Sequence, residues 1–364
     1  MKRINGLVGL AAMAVTGGVA AQSITPDKFT ADIAVGATVS INKTITLPTA
    51  GATKVDVFFL MDTTGSMSTV INNAKSGATA IMNALPSGYR FGVGQYNGDP
   101  VAEGESRNTA YTQLTGLTTD KTAVQAGINS LAACMFSCGG DYPEANFYGL
   151  SSAAVGDVAN GGKPPAAWDA AAQRLIVWFG DAPSHTATIS QASTIANLNS
   201  AGVQVVAFNS TSANAGIDES GQATAIAAAT GGSLTNNFLS LSAAQFVTKV
   251  TDEITAASSF VDLTFGSTFV GDGLEISFTC TDALGCDDVE GGESRTFRVD
   301  IKGMKPGEYK FDVFARGIDA VESDVIRVGG VPAIPEPETY ALMAMGLAVV
   351  GFVSRRRKAA AAKA

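Results

Sequence analysis

The feature that most constrains the fold is an alternation. Between Lys54 and Ala257, short and almost wholly apolar runs take turns with segments whose apolar residues recur at helical spacing. The first run is Val55–Leu60 (VDVFFL). A strand apolar on both faces is buried on both, as in a parallel sheet covered by helices. Ser66–Leu85 follows, with Met67, Val70, Ile71, Ala74, Ala78, Ile81, Met82 and Leu85 on one helical stripe and Pro86 as the stop. The same reading predicts strands at Arg90–Tyr96, Arg174–Phe179, Val203–Phe208 and Ser233–Phe238. It predicts helices at Lys121–Ala133, Glu144–Val155, Ile189–Ala201, Gln222–Ala229 and Ser242–Ala257, and a Gly/Thr-rich loop after Tyr96. The expected fold is α/β: a doubly wound, mostly parallel sheet whose ligands sit at the carboxyl ends of the strands.

The flanks have a different texture. Ala31–Pro48 alternates apolar and polar residues, and so do FVDLTFG, LEISFTC, RTFRVDIKG, YKFDVFARG and SDVIRVG after Ser258. These read as a small antiparallel β-sandwich. The early strands fit a parallel sheet poorly, so they are expected to join the late ones, with the α/β unit inserted between. The boundaries expected are 22–53 for the N-terminal strands, 54–257 for the α/β domain and 258–330 for the sandwich.

Three loops at the predicted ligand edge carry oxygen donors. VDVFFLMDTTGSM (Val55–Met67) ends its strand on Asp62, Thr64 and Ser66. GGDYPEA brings Asp141, Pro143 and Glu144, and RLIVWFGD ends on Asp181. Taken alone, Asp62 and Ser66 are ordinary helix caps. Taken with Glu144 and Asp181 they offer hydroxyls and carboxylates to one point, the donor set that hard cations such as Mg²⁺ prefer. Neutral hydroxyls among the ligands would leave such an ion net positive and able to accept an acidic group from a partner. His185 follows Asp181 closely, but neighbours in sequence rarely face each other productively, so a structural role is expected for it. Trp168 and Trp178 are expected to pack.

These motifs resemble the von Willebrand factor A domain, and more narrowly the integrin beta chain. The resemblance implies a metal-ion-dependent adhesion site made of Asp62, Thr64, Ser66, Glu144 and Asp181, with Thr64 where that family has Ser. It implies Mg²⁺, or Ca²⁺ or Mn²⁺, as the cofactor. Asp141-Tyr142-Pro143-Glu144 resembles the family's second cation site, to which Asp141, Glu144 and the Pro143 carbonyl would contribute, with Asn97 and Asp99 as candidates for its remaining ligand. Asp141 and Asp99 also read as plain turn residues. Where the family has paired acids for an adjacent third site, this chain has Ser68, Thr69 and Val70. Integrin beta chains insert their A-type domain in a β-sandwich hybrid domain, so the likeness covers roughly Ala31 to Gly330.

Both ends read as sorting segments. Residues 1–21 have Lys2 and Arg3, a short apolar stretch and small residues before Gln22, the pattern of a secretory signal peptide cleaved after Ala21. At the other end (331–364), Pro335-Glu336-Pro337 precedes Tyr340–Val353 and then Arg355, Arg356, Arg357 and Lys358. Those 14 apolar-rich residues are shorter than the ~20 that span a bilayer comfortably. The order resembles the PEP-CTERM signal of Gram-negative bacteria. It implies signal peptidase and exosortase as processing partners, transient inner-membrane anchoring, and then the cell surface or extracellular matrix.

An exported chain can form disulfides. Four cysteines allow three connectivities. The local pairs Cys134/Cys138 and Cys280/Cys286 are the simplest, and a zinc site is disfavoured because the pairs lie far apart and the only His is next to neither. Without both ends, the 24 basic residues lose seven and the 33 acidic ones two, leaving a charge near −14. That disfavours nucleic acid as a partner. The leading expectation is therefore a non-enzymatic adhesion protein that binds an acidic group of a protein or polysaccharide through its cation. The alternative is a structural matrix protein whose metal only stabilises the fold. No nucleophile–base pair points to an enzyme.

Overall fold

The computed structural model describes residues 22–134, 142–157 and 164–329. The signal peptide, Cys138, Asp141, Tyr340–Val353 and the sorting residues Pro335, Glu336, Pro337, Arg355, Arg356 and Arg357 lie outside them. Three strands open the chain: β1 (Ser23–Thr25), β2 (Lys28–Ile33) and β3 (Thr38–Thr46). The α/β segment then runs β4 (Val55–Asp62), α1 (Ser68–Ala84), β5 (Arg90–Tyr96), α2 (Arg107–Ala110), β6 (Tyr111–Thr118) and α3 (Lys121–Ser130). It continues through α4 (Asn146–Val155), β7 (Gln173–Gly180), α5 (Gln191–Ala201), β8 (Val203–Asn209), α6 (Gln222–Ala229), β9 (Ser233–Thr235) and α7 (Ala243–Ser259). Short strands β10 (Phe260–Val261), β11 (Phe265–Ser267), β12 (Leu274–Cys280) and β13 (Val289–Glu290) lead to β14 (Ser294–Gly303), β15 (Gly307–Ala315) and β16 (Val321–Val328).

The central sheet has the order β6-β5-β4-β7-β8-β9. All its pairings are parallel except β5 with β6. Every residue of β4 is buried, because its two faces enter different cores. Val57, Phe59 and Met61 pack with Val70, Ile71, Ile81, Phe246, Val250 and Ile254 from α1 and α7. Phe58 and Leu60 pack with Phe147, Leu150, Leu198 and Ile226 from α4, α5 and α6. The continuous apolar run is thus the requirement of a strand with helices above and below.

The helices begin where their sequences provide caps. The Asp120 carboxylate accepts from the backbone of Thr122 and Ala123, Ser190 accepts from Ser193, and Ser242 with Gln245 forms a reciprocal capping box. α5 ends on Gly202 in the left-handed region.

Some expectations need correction. The loop after Tyr96 contains a short helix and the antiparallel edge strand β6, whose register slips between Phe91 and Gly94. Its polar, half-buried sequence hides it from a search for apolar runs. The strand at Ser233 ends at Thr235, and α3 ends at Ser130. Glu144 does not stand in the first turn of α4, which starts two residues later.

Two four-stranded sheets take strands from either side of the α/β segment. One has the order β1-β3-β14-β12, the other β11-β15-β16-β2. β3 pairs with β14 along nine residues, from Thr38↔Lys302 to Thr46↔Ser294. β2 pairs with β16 in parallel, where an all-antiparallel arrangement was expected. The inward residues Leu274, Val299, Ile301, Phe311, Val313, Ile326 and Val328 form a separate core. Cys280 and Cys286 are bridged. The two connections to the α/β segment run side by side: Ala52 N–H donates to Ser258 O at 2.8 Å, and Thr53 N–H to Gly317 O at 2.8 Å. Among the described residues no helix is long and apolar enough to cross a membrane.

Candidate functional site

β4 delivers Asp62 to the carboxyl edge of the sheet with no exposed surface. One carboxylate oxygen, Oδ1, accepts from both the backbone N–H and the hydroxyl of Thr64, each at 2.8 Å. The Thr64 hydroxyl lies 3.4 Å from that of Ser66, and Ser66 hydrogen-bonds Asp181 at the end of β7. The other oxygen of Asp62, Oδ2, is buried without a hydrogen-bond partner among the described residues. Thr64 stands in extended backbone ahead of a 3₁₀ turn, Gly65–Met67, and neither that turn nor α1 has a side-chain cap. Asp62 and Ser66 are therefore not helix caps. Their oxygens are turned toward Asp181.

The second loop reaches the same edge by a different device. Glu144 forms an isolated parallel bridge with Ser184. Its N–H donates to Pro183 O and its carbonyl accepts from His185 N–H, both at 2.8 Å. Ala145 N–H donates to Asn97 O at 2.8 Å, which pins the segment to the end of β5. Ser184 then serves α4 from outside its own sequence: its hydroxyl accepts from Phe147 N–H at 2.9 Å and donates to the His185 carbonyl at 2.9 Å. The helix start is displaced because this distant hydroxyl, and not a local side chain, satisfies its first turn.

The electrostatics are those of crowded carboxylates. Burial, and then the charge of Asp181, push the Asp62 carboxyl up to about 7. Burial also raises Asp181, against the opposing hydrogen bond from Ser66. Neither acid has a Lys or Arg ion-pair partner among the described residues. At the floor of the site the Tyr96 phenol is pushed far up by burial and by the charges of Asp62, Asp181 and Glu144. Three carboxylates from three loops thus bear on one buried hydroxyl.

For the second expected cation site, Glu144 is 5% exposed and Asn97 is 6% exposed with its side-chain Oδ1 unpartnered. Asp99 is spent on its own turn: its Oδ1 accepts from Val101 N–H, Ala102 N–H and the Thr188 hydroxyl. Asn97 is the better placed of the two candidates. Cys134 is disulfide-bonded, and its N–H donates to Thr63 O at 2.8 Å, which holds the loop after α3 against the Asp62 turn. The sequence reading missed Ser184, Asn146 and Tyr142. Asn146 is fully buried, with its amide donating to Ala182 O and its carbonyl oxygen unpartnered. Tyr142 is 57% exposed on the rim and donates to Glu219. An Asn directly after the Glu144-Ala145 pair was the available signal for the first of these.

A divalent cation fits this donor set. Asp62 Oδ2 is an orphaned buried acceptor, and Asp62 and Asp181 repel each other without a compensating cation. Among the described residues no three His, Cys, Asp or Glu side chains cluster closely enough to hold an ion by themselves. The hydroxyls of Thr64 and Ser66, 3.4 Å apart, are the neutral oxygens that would complete such a set.

Residues 333–358 match the PEP-CTERM protein-sorting motif. That motif implies export, exosortase-mediated processing and transient anchoring through the C-terminal segment. No curated protein matches the chain. Similar solved structures include a von Willebrand factor type A protein from Catenulispora acidiphila, 16% identical over 86% of this chain and 74% of that one, with a TM-score of 0.43. Proximal thread matrix protein 1 from the mussel byssus is 15% identical over 60% and 48%, at 0.39. Pilus adhesin SpaC from Lactobacillus rhamnosus GG is 12% identical over 80% and 45%, at 0.36. At these TM-scores the likenesses carry no weight for function.

Proposed function

We propose that this exported chain is a surface or matrix adhesion protein that binds an acidic group of a protein or polysaccharide through a divalent cation. Asp62, Thr64, Ser66, Glu144 and Asp181 would hold the ion. Asn97, Glu144 and the Pro143 carbonyl would serve a second ion beside it. When bound, the ion would supply a net positive centre with an open position for a partner's carboxylate. In this reading the chain's own residues do three things. The carboxylates of Asp62 and Asp181 would neutralise part of the charge, the hydroxyls would add donors without cancelling it, and Tyr96 and Trp178 fix the floor. The arrangement resembles the integrin beta chain, with the A-type unit inserted between the strands of a hybrid-like sandwich.

The observation that carries the proposal is the orphaned, fully buried Oδ2 of Asp62 beside Asp181. A buried carboxylate whose charge no basic group balances, with one oxygen unpartnered, is costly in a protein interior, and a bound cation would remove that cost. Isothermal titration of the mature chain with Mg²⁺, Ca²⁺ or Mn²⁺ tests it. Uptake that disappears in Asp62→Ala, together with EDTA-sensitive retention on matrix material, is expected. No uptake of any of the three ions by the wild type would overturn the reading. Uptake with EDTA-indifferent retention would leave the metal a purely stabilising part and favour a structural matrix role.

A further inference from the structure

The core of the β-sandwich contains charge that the cation site does not use. Lys43, on β3, has no exposed side-chain surface. Facing it from the other sheet are Glu322 and Asp324, two residues apart on β16, with side chains 1% and 0% exposed. The Lys43 Nζ contacts Glu322 Oε1 directly and lies 3.2 Å from Asp324 Oδ1. The two carboxyls hydrogen-bond each other. The surroundings are aromatic and aliphatic: the Phe29 ring centroid is 6.0 Å from Nζ, Phe297 is the cross-strand partner of Lys43, and Ile45 is fully buried.

One amine and two acids in an apolar core are an unfavourable end state. Desolvating the three ions is expensive, and the two acids together carry more charge than the amine can neutralise. Burial raises both carboxyls against the opposing bonds from Lys43, and the charge of Asp324 adds to the rise at Glu322. One amine balances one carboxylate, so the pair shares one proton. Glu322, whose Oε1 touches Nζ, is the carboxyl placed to react in its protonated form, and Asp324 is the neighbour that bonds both it and the amine. A desolvated lysine beside a protonated acid has the parts of a condensation.

We infer that Lys43 and Glu322 form an intramolecular amide, with Asp324 carrying the protons. Asp324 accepts a proton from the Lys43 ammonium, and the freed amine attacks the Glu322 carboxyl carbon. The Asp324 proton passes to the departing hydroxyl, which leaves as water while the C–O bond breaks. Asp324 takes the second nitrogen proton as the C–N bond forms, and it ends as a neutral acid hydrogen-bonded to the new amide. No oxidant or activating group is consumed. The cross-link would tie β3 to β16, across the two sheets and across 279 positions of sequence.

Tryptic mapping of the reduced, denatured full chain tests this. The wild type is expected to give Phe29–Lys54 joined to Gly317–Arg327, lighter than their sum by one water, with no cleavage after Lys43. Lys43→Arg, which keeps the cation, is expected to give the two regions separately. Asp324→Ala is expected to form the joined pair on the order of a hundredfold more slowly, the usual scale of a positioned proton carrier. Free Phe29–Lys43 and Gly317–Arg327 in the wild-type digest would overturn the inference whatever the variants do. A link fragmenting at Asp324 would overturn the assignment of Glu322 as the reacting carboxyl.

Discussion

The Tyr96 hydroxyl accepts from the Trp178 indole N–H at 2.9 Å and donates to the Phe179 carbonyl at 3.0 Å. Both rings are fully buried. The bond joins β5 to β7 across β4, beneath the carboxylates of the site. Tyr96→Phe leaves the indole N–H and the carbonyl without this partner, and should cost about 1–3 kcal/mol. Urea titration followed by tryptophan fluorescence would measure it. Gly180 is fixed by the same contact, since a β-carbon there would meet the Tyr96 hydroxyl at 2.5 Å and Ile217 at 2.6 Å. Gly180→Ala should be at least as damaging.

The raised Asp62 carboxyl sets a pH dependence. In the cation-free chain the folded state holds this proton up to about pH 7, whereas the unfolded state releases it near the ordinary 3.8. The folded state therefore binds more protons between these values, and stability falls as pH rises through that window, by roughly 4 kcal/mol at most. Thermal melts in EDTA from pH 4 to pH 8 should show the decline. Asp62→Asn should flatten it, raise stability at pH 7.5 and abolish the stabilisation by Mg²⁺. A wild type that melts at the same temperature in EDTA at pH 4.5 and pH 7.5 would contradict this assignment.

Thr64 is committed twice to Asp62, through its N–H and its hydroxyl. Thr64→Ser keeps both bonds and should titrate with Mg²⁺ as the wild type does. Thr64→Val keeps the shape but removes one donor and one proposed ligand, and should weaken Mg²⁺ binding on the order of tenfold or more, about 1.4 kcal/mol. Calorimetric titration of the pair separates the hydroxyl from the backbone.

Phe246 on α7 stacks on Phe179 at 6.0 Å and packs against Phe238 at 4.8 Å, with Phe208 completing the group. It is 1% exposed. Phe246→Ala should cost about 3–5 kcal/mol. The loss would loosen α7 from the sheet, so protease cleavage within Ala243–Ser259 should accelerate.

The disulfide between Cys280 and Cys286 closes a short loop, with a sequence separation of 6. Replacing both by Ser should lower stability by only about 2 kcal/mol on loop-entropy grounds. Denaturant unfolding of the double variant checks this.

The doubly wound sheet was legible because burial on both faces leaves a plain trace in Val55–Leu60 and Val203–Phe208. So was the meeting of Asp62, Thr64 and Ser66, since strand end and helix start fix that turn locally. β6 was not legible, because an edge strand half open to solvent needs no apolar run. Nor was the start of α4. Its position depends on the Ser184 hydroxyl, 37 residues away from Phe147, and no local pattern encodes a bond of that range. Lys43 escaped for a similar reason: a lysine in an alternating strand reads as solvent-facing until Glu322 and Asp324 are seen opposite it.

The first and last strands described, β1 and β16, both lie in the two flanking sheets, and both connections to the α/β unit leave them at one place. Tension drawn along the chain between a tethered tail and the N-terminal strands would pass through β16, β2 and their neighbours. The α/β unit would hang beside that line, with β4 starting at the junction and Asp62 at its far end. Eight residues of strand at ~3.3 Å each put the carboxylates about 25 Å out. Under the proposed reading, a load applied at Asp62 would run down β4 to the junction and from there into the sandwich strands.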